Sequence, residues 1–294
     1  MAPHGLLNVN KPPGMTSREV VDRVQRLARP AKVGHAGTLD PLASGVLVVS
    51  VGSATRLIEY VQRMPKHYTA TFLLGRRSPT DDVEGEVTEL ADPPVPSWDE
   101  IVRAAESLTG AIQQRPPLFS ALKVAGRRAY DLAREGRQVD LAPRPVTVYR
   151  FELLGYDYPE LRVRIECGSG TYVRALGRDL AHSLGTAAVM SALVRTAIGD
   201  FRLEEAVELQ QLTGRDWAGY LRPPLDAIGS MVRIELSVDE ITRIRSGQAI
   251  SAPAATGTPT EEIAAVDAAG RLIAILTARG PGLLGPSRNL PTDG

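Results

Sequence analysis

Apolar and polar positions predict a mixture of strands and helices along the chain. Gly5-Leu6-Leu7-Asn8-Val9-Asn10 reads as a short strand ended by Lys11-Pro12-Pro13-Gly14. Thr16 or Ser17 then opens a helix, with Val20, Val21, Val24 and Leu27 at helical spacing. Val46–Val51 is an apolar strand-like run, and Tyr68–Leu74 is rich in β-branched and aromatic residues. Ser97 follows a Pro-rich loop and can cap a helix from Trp98 to Leu108. Val146–Leu154 and Leu161–Cys167 read as paired strands around a turn at Tyr156–Glu160. In the next helix Thr171 is the expected N-cap. Val173, Leu176, Gly177, Leu180 and Leu184 share one face, and Gly185 ends it.

Beyond Gly229 the pattern changes to short strand-like runs between Gly/Pro turns: Val232–Leu236, Glu262–Asp267 and Leu272–Leu276. This divides the chain into a unit over 1–229 and a small β-rich unit over 230–294, whose last residues, Gly280–Gly294, read as a loosely held tail.

Composition narrows the function. Of 294 residues, 43% are hydrophobic and 23% charged, which excludes wholesale disorder and allows a sizeable core. Lys+Arg and Asp+Glu are both 34, so a globally basic nucleic-acid binder is excluded while a locally basic face is not. Residues 1–67 hold nine basic against four acidic residues, and 113–150 hold eight against three. Between them, 81–106 hold nine acids and one base. Brought together, the two basic stretches would make one electropositive groove; kept apart, they are solvated surface.

The single cysteine, Cys167, permits no internal disulfide and fits a reducing compartment. No run reaches the length of a membrane span, and the first residues lack a signal-peptide pattern, so a soluble cytoplasmic protein is expected. The four histidines are scattered, and neither a zinc-type pairing nor a phosphate loop nor a dinucleotide fingerprint is present, so no metal and no nucleotide cofactor is expected.

The chemistry concentrates in Val33-Gly34-His35-Ala36-Gly37-Thr38-Leu39-Asp40-Pro41-Leu42-Ala43-Ser44-Gly45-Val46-Leu47. Its glycines mark sharp turning or close approach of a ligand, and the strand that follows can hold a loop carboxylate still. Asp40-Pro41 alone also fits an ordinary turn or helix N-cap. Taken together, Gly-His-x-Gly-Thr-Leu-Asp-Pro-x-Ala-x-Gly resembles the catalytic motif of the TruB family of tRNA pseudouridine synthases. Asn10–Ser17, Lys66-His67-Tyr68 with its strand, Asp81-Asp82-Val83-Glu84-Gly85, Arg115–Lys123 and Gly170-Thr171-Tyr172-Val173-Arg174 match the family in kind and order. The matches run from about residue 5 to 200, and the last 65 residues only weakly resemble the family's PUA-type RNA-binding domain.

The resemblance implies an α+β fold: a mixed, mainly antiparallel sheet with flanking helices and a central RNA-binding cleft, followed by a small PUA-like domain. It implies conversion of the uridine at position 55, in the T-loop of tRNA, to pseudouridine, without a cofactor. Asp40 matches the catalytic carboxylate and Arg174 the arginine paired with it, a neighbour expected to lower the carboxylate's pKa. An ionised aspartate can act as nucleophile or base, and attack at C1′, attack at C6 and removal of the C2′ proton all stay open. Tyr68 is implied to stack on the target base and to serve proton transfer. Tyr172 and Leu193 are implied to line the uracil pocket, with core packing the alternative for Leu193. His35 matches the residue that fills the stack when the base leaves it. Lys11 is grouped with the substrate contacts, as a phosphate contact or packed near the loop.

Residues 115–145 resemble an RNA-gripping insertion, with Arg115, Lys123, Arg127, Arg128, Arg134 and Arg137 suited to phosphates and Tyr130 packed beneath. Phe119 stands where the family often has Tyr. The expected partner is the T-arm stem-loop of tRNA, and nothing in the chain demands more than a monomer. Two other classes are an RNA-binding or tRNA-folding chaperone with incidental catalysis, and a glycosidase-like enzyme. The second needs two cooperating carboxylates, for which only Asp81 or Asp82 offers itself beside Asp40.

Overall fold

The computed structural model describes residues 3–120, 122–124, 127–128, 141–214, 216–229, 231–253 and 262–290. In chain order the elements are β1 (Gly5–Lys11), α1 (Ser17–Ala28), β2 (Val33–His35), β3 (Ser44–Val51), α2 (Ile58–Arg63), β4 (Lys66–Leu74), β5 (Arg76–Arg77), β6 (Thr88–Glu89), α3 (Trp98–Ser107) and β7 (Gly110–Gln114). They continue as β8 (Lys123–Val124), β9 (Arg127–Arg128), β10 (Arg144–Asp157), β11 (Glu160–Cys167), α4 (Val173–Ser183), β12 (Ala188–Ile198), β13 (Phe201–Arg202) and β14 (Val207–Glu208). The last are β15 (Arg233–Glu235), α5 (Val238–Arg245), β16 (Ile250–Ser251), β17 (Ile263–Val266), β18 (Leu272–Ala278) and β19 (Leu283–Asn289).

The main sheet runs β14-β1-β3-β12-β4-β11-β10-β7, with β2 on β3 and β13 on β12. Its pairings are antiparallel except β1–β14 and β3–β12. This is the expected α+β class with a mixed, mainly antiparallel sheet.

Both faces of the sheet are covered, which explains why β3 is apolar at successive positions rather than alternate ones. On one face Leu7, Val9, Leu47 and Val49 pack against Val20, Val21 and Val24 of α1. That helix starts where expected: Thr16 caps it in a reciprocal box with Glu19. On the other face Leu6, Val46 and Val48 pack with α2 and with Ala264, Leu272, Ile275 and Leu290. At the far half, Ala70, Phe72 and Leu74 meet α3 and α4. Gly177 is needed there, because a Cβ would fall 2.2 Å from the Phe72 ring. Ser97 caps α3 with Glu100, and Gly185 closes α4 at φ +72°, as the sequence predicts.

Strands β15-β17-β18-β19-β16 form a second sheet, with α5 beside it. The expectation of a loose tail from Gly280 is corrected here. Leu283–Asn289 is a full strand, Leu284 and Leu290 are buried, and the Asn289 amide donates to the Ile244 carbonyl. Pro286 is tolerated because it sits at a register shift in the β18–β19 ladder. No helix among the described residues is long and apolar enough to cross a membrane.

Candidate functional site

The loop between β2 and β3 carries Asp40, and buried groups pin it from two sides. Lys11 ends β1 fully buried, and its ammonium donates to the carbonyls of Pro12, Met15 and Pro41 at 2.8, 2.5 and 3.3 Å. The Gly14 N–H adds a second bond to the Pro41 carbonyl at 2.8 Å. Ser17, in the first turn of α1, binds both polar groups of the Leu39 backbone through its hydroxyl. From the opposite side Arg195, 1% exposed on β12, donates to the carbonyls of Val46, Gly37 and Thr38 at 2.7, 3.1 and 3.4 Å. Lys11, Gly45, Arg195 and Tyr68 lie in one row across β1, β3, β12 and β4. The backbones close in at Gly45, which has φ +101° and where a Cβ would stand 2.3 Å from the Arg195 carbonyl.

Arg174 enters from the second position of α4 and is 5% exposed. Its Nε lies 2.9 Å from Asp40 Oδ2, and its Nη2 donates to Asp40 Oδ1 at 3.2 Å, a two-point clasp. Nη1 donates to the Thr80 carbonyl at 2.7 Å and stands 3.3 Å from Asp82 Oδ2, while Nη2 also reaches the Phe119 carbonyl at 3.1 Å. Arg174 thus makes three hydrogen bonds and two further ion-pair contacts. These partners compensate for placing a cation at a helix N-terminus, where the dipole opposes it.

The helix start differs from the sequence expectation: Tyr172, not Thr171, holds the N-cap position and offers no side-chain cap. The buried Gln114 amide replaces it, accepting from the Tyr172 N–H at 2.8 Å and donating to the Tyr172 carbonyl at 3.1 Å. Asp82 is held in turn by the Thr80 hydroxyl at 2.6 Å and the Glu84 N–H at 3.1 Å.

Asp40, Tyr68, Tyr172, Arg174 and Leu193 line one cavity of about 280 Å³, so the structure brings these predicted residues together. The cavity is roofed by the Asp40 loop and the start of α4, and floored by β4 and β12, which add Lys66 and Arg195. The Tyr172 ring faces the Arg144 guanidinium at 5.0 Å.

Two other predicted contacts lie outside it. His35 is on β2, opposite Val49. Of the two alternatives for Lys11, the structure supports packing near the loop over a substrate contact, because its ammonium is turned into backbone carbonyls and has no exposed surface. Burial also lowers the Lys11 pKa to about 8.

Arg174 does exert the expected downward pull on the Asp40 pKa, but it is not the largest influence there. Burial pushes the carboxyl up, Arg174 pulls it down, and the nearby Asp82 carboxylate pushes it up again, for a net rise. Burial also raises the Tyr68 phenol, which keeps it protonated near neutrality, although an Arg195 hydrogen bond opposes that rise.

Arg115 is exposed and borders a separate cavity with Asp81 and Arg178; its carbonyl accepts from Arg178 Nη2 at 2.7 Å. Lys123 and Arg128, and Val124 and Arg127, pair as a two-stranded hairpin. Arg134, Arg137 and Tyr130 lie outside the described residues.

Sequence reasoning missed what three residues do here. Lys66 stood inside a quoted motif without a role, and Asp82 was weighed only as a second carboxylate for a glycosidase-like enzyme. Arg195 gave no signal because its strand was not foreseen.

The family model described as TruB family pseudouridylate synthase (N terminal domain) matches residues 25–173. The tRNA pseudouridine synthase B of Paenarthrobacter aurescens is 44% identical, with 94% of this chain and 92% of that protein covered. The protein of the same name from Mycobacteroides abscessus is 42% identical over 94% of this chain and 93% of its own length. The solved Cbf5-Nop10-Gar1 complex contains a chain with TM-score 0.73 and 24% identity, covering 98% of this chain and 84% of that one, a likeness of fold.

Proposed function

The chain belongs to the TruB family of pseudouridylate synthases, and we propose that it converts the uridine at position 55, in the T-loop of tRNA, to pseudouridine, as a cytoplasmic monomer needing no cofactor. The observation that carries this reading is the Asp40 carboxylate held at two points by Arg174 inside a small cavity that also takes in Tyr68. About 280 Å³ suits one nucleobase and not a stacked duplex, so the target base enters flipped out.

The isomerisation breaks C1′–N1 and makes C1′–C5. The C5 hydrogen leaves as a proton, and N1 gains one from solvent, so no electrons are exchanged with a cofactor. Asp40 acts in its ionised form, as nucleophile at C1′ or C6 or as base at C2′. Arg174 fixes its two oxygens and favours the anion against burial. Tyr68 and Leu193 hold the uracil from the sheet side, and Tyr172 borders it from the helix side. His35 fills the vacated stack. Residues 1–229 act as the synthase unit, with 115–145, including Arg115, Lys123, Arg127, Arg128 and Arg134, gripping phosphates. Residues 230–294 act as a PUA-like RNA-binding unit.

The test is tritium release from a T-loop stem-loop RNA labelled at C5 of its uridines. Wild type is expected to release tritium without freeing uracil. Asp40→Asn is expected to release none while binding the RNA with nearly unchanged affinity. Turnover by Asp40→Asn at the wild-type rate would sink the assignment.

A further inference from the structure

The floor of the cavity carries two buried cations that the reading above does not use. Lys66 begins β4 and is 6% exposed; Tyr68, two residues on, shares its face. Arg195 is the registered partner of Tyr68 on β12. The Lys66 ammonium donates to the carbonyls of Gln62 and Met64, and Arg195 donates to the carbonyls of Gly37, Thr38 and Val46. Among the described residues, no carboxylate lies within ion-pair distance of either.

The wall that carries Asp40 is different: its carboxylate lies on the Arg174 guanidinium, which also reaches Asp82 outside the cavity lining. Buried positive charge without a counter-ion is unfavourable, and two such groups side by side repel each other. The repulsion is felt at Lys66, whose pKa burial and the Arg195 charge together lower to about 8. Backbone carbonyls solvate the two cations but do not neutralise them.

We propose that Lys66 and Arg195 form an anion-stabilising floor for the uracil ring during its detachment. This rests on the synthase reading. When C1′–N1 breaks, both bonding electrons go to the uracil, and the charge spreads over N1, O2 and O4. If C6 is attacked first, the electrons gather on O4. In either case a negative ring lies between an acidic wall already balanced by Arg174 and a floor carrying uncompensated positive charge. The two cations act mainly through their field, which is strong in a site that excludes water. A ring that must turn to present C5 to C1′ is better held by a field than by hydrogen bonds to one fixed atom, because O2 and O4 exchange places.

The experiment compares wild type, Lys66→Met, Lys66→Gln and Lys66→Arg under single-turnover conditions. The substrates are stem-loop RNAs bearing uridine or 5-fluorouridine at the target position. Lys66→Gln keeps a donor for the Gln62 carbonyl, and melting curves identify variants that stay folded. Lys66→Met and Lys66→Gln are expected to react about a hundredfold more slowly with uridine. Their deficit is expected to shrink with 5-fluorouridine, whose ring is the better leaving group, with RNA affinity and its salt dependence unchanged. Lys66→Arg is expected to recover most of the rate. An equal deficit on both substrates in a folded variant overturns the proposal, as does a neutral variant with wild-type rate. Loss of affinity with a flatter salt slope also overturns it and makes the floor a phosphate contact instead. If wild type itself forms no pseudouridine product, the synthase reading fails, and that outcome is distinct from all the others.

Discussion

Arg174 meets Asp40 side-on, Nε to Oδ2 at 2.9 Å and Nη2 to Oδ1 at 3.2 Å, and spends its remaining donors on Asp82, Thr80 and Phe119. One planar guanidinium therefore sets the direction of the Asp40 carboxylate and ties three loops to the start of α4. Arg174→Lys keeps the charge but cannot span both oxygens and the two carbonyls at once. It is expected to lower the single-turnover rate by about a hundredfold or more while changing RNA affinity little. A rate within threefold of wild type would show that the charge alone suffices.

Asp82 is the second carboxylate on that guanidinium, and its charge is one of the causes raising the Asp40 pKa, after burial. Asp82→Asn removes the repulsion and leaves Arg174 committed to Asp40. The Asp40 pKa then falls, and the acid limb of the kcat/KM profile moves to lower pH. The profile of wild type against Asp82→Asn checks this. An acid limb moved to higher pH would mean that Asp82 serves Asp40 chiefly by steering Arg174.

Much of this frame was legible in the sequence. Caps at Thr16 and Ser97, the stop at Gly185, and the strands around residues 46–51, 68–74, 146–154 and 161–167 follow from local pattern: 46–51 from its unbroken apolar run, and 68–74 and 161–167 from a buried face that alternates along the strand. The central strand β12 was not foreseen. Register shifts at Met190/Ala192 and at Arg195/Ala197 break its alternation, and a buried arginine sits in its middle. The same feature hid Arg195. For Lys11 the sequence leaves a phosphate contact and packing near the loop both open. Only the fold shows that three carbonyls surround its ammonium. The strand β19 was lost behind Gly285-Pro286, residues that read as loop unless a bulge accommodates them.

Lys11→Met tests the anchor. It leaves the Pro12, Met15 and Pro41 carbonyls without their shared donor, and is expected to cost about 1–3 kcal/mol of stability. The pH dependence has a definite sign. The folded pKa of about 8 is below the ordinary 10.5, so between these values the unfolded chain binds more protons and wild-type stability rises with pH. Lys66 adds a similar rise, also from about 8, so the slope specific to Lys11 is the difference between wild type and variant. Denaturant titrations at pH 7, 8, 9 and 10 measure it. The variant is expected to lose part of the rise; identical slopes would place the Lys11 charge elsewhere in the energetics.

Arg288 on β19 fastens the second sheet to α2. Its guanidinium donates to Glu59, to the Tyr60 hydroxyl at 2.7 Å and to Glu262 at 3.3 Å, and it stacks over the Tyr60 ring at 5.1 Å. Glu59 and Glu262 are partly exposed, so each ion pair is screened and worth no more than about 1 kcal/mol. Beneath them lies the apolar contact of Ala264, Leu272, Ile275 and Leu290 with Leu57, Val61 and Ile198. Arg288→Leu therefore removes the polar latch and leaves the larger apolar attachment in place. Amide hydrogen exchange in β17, β18 and β19 is expected to quicken several-fold, as local opening becomes cheaper by about 1 kcal/mol, while β1 and β3 keep their protection. Equal loss of protection in both sheets would mean that they unfold as one unit and that Arg288 contributes to the whole fold rather than to docking.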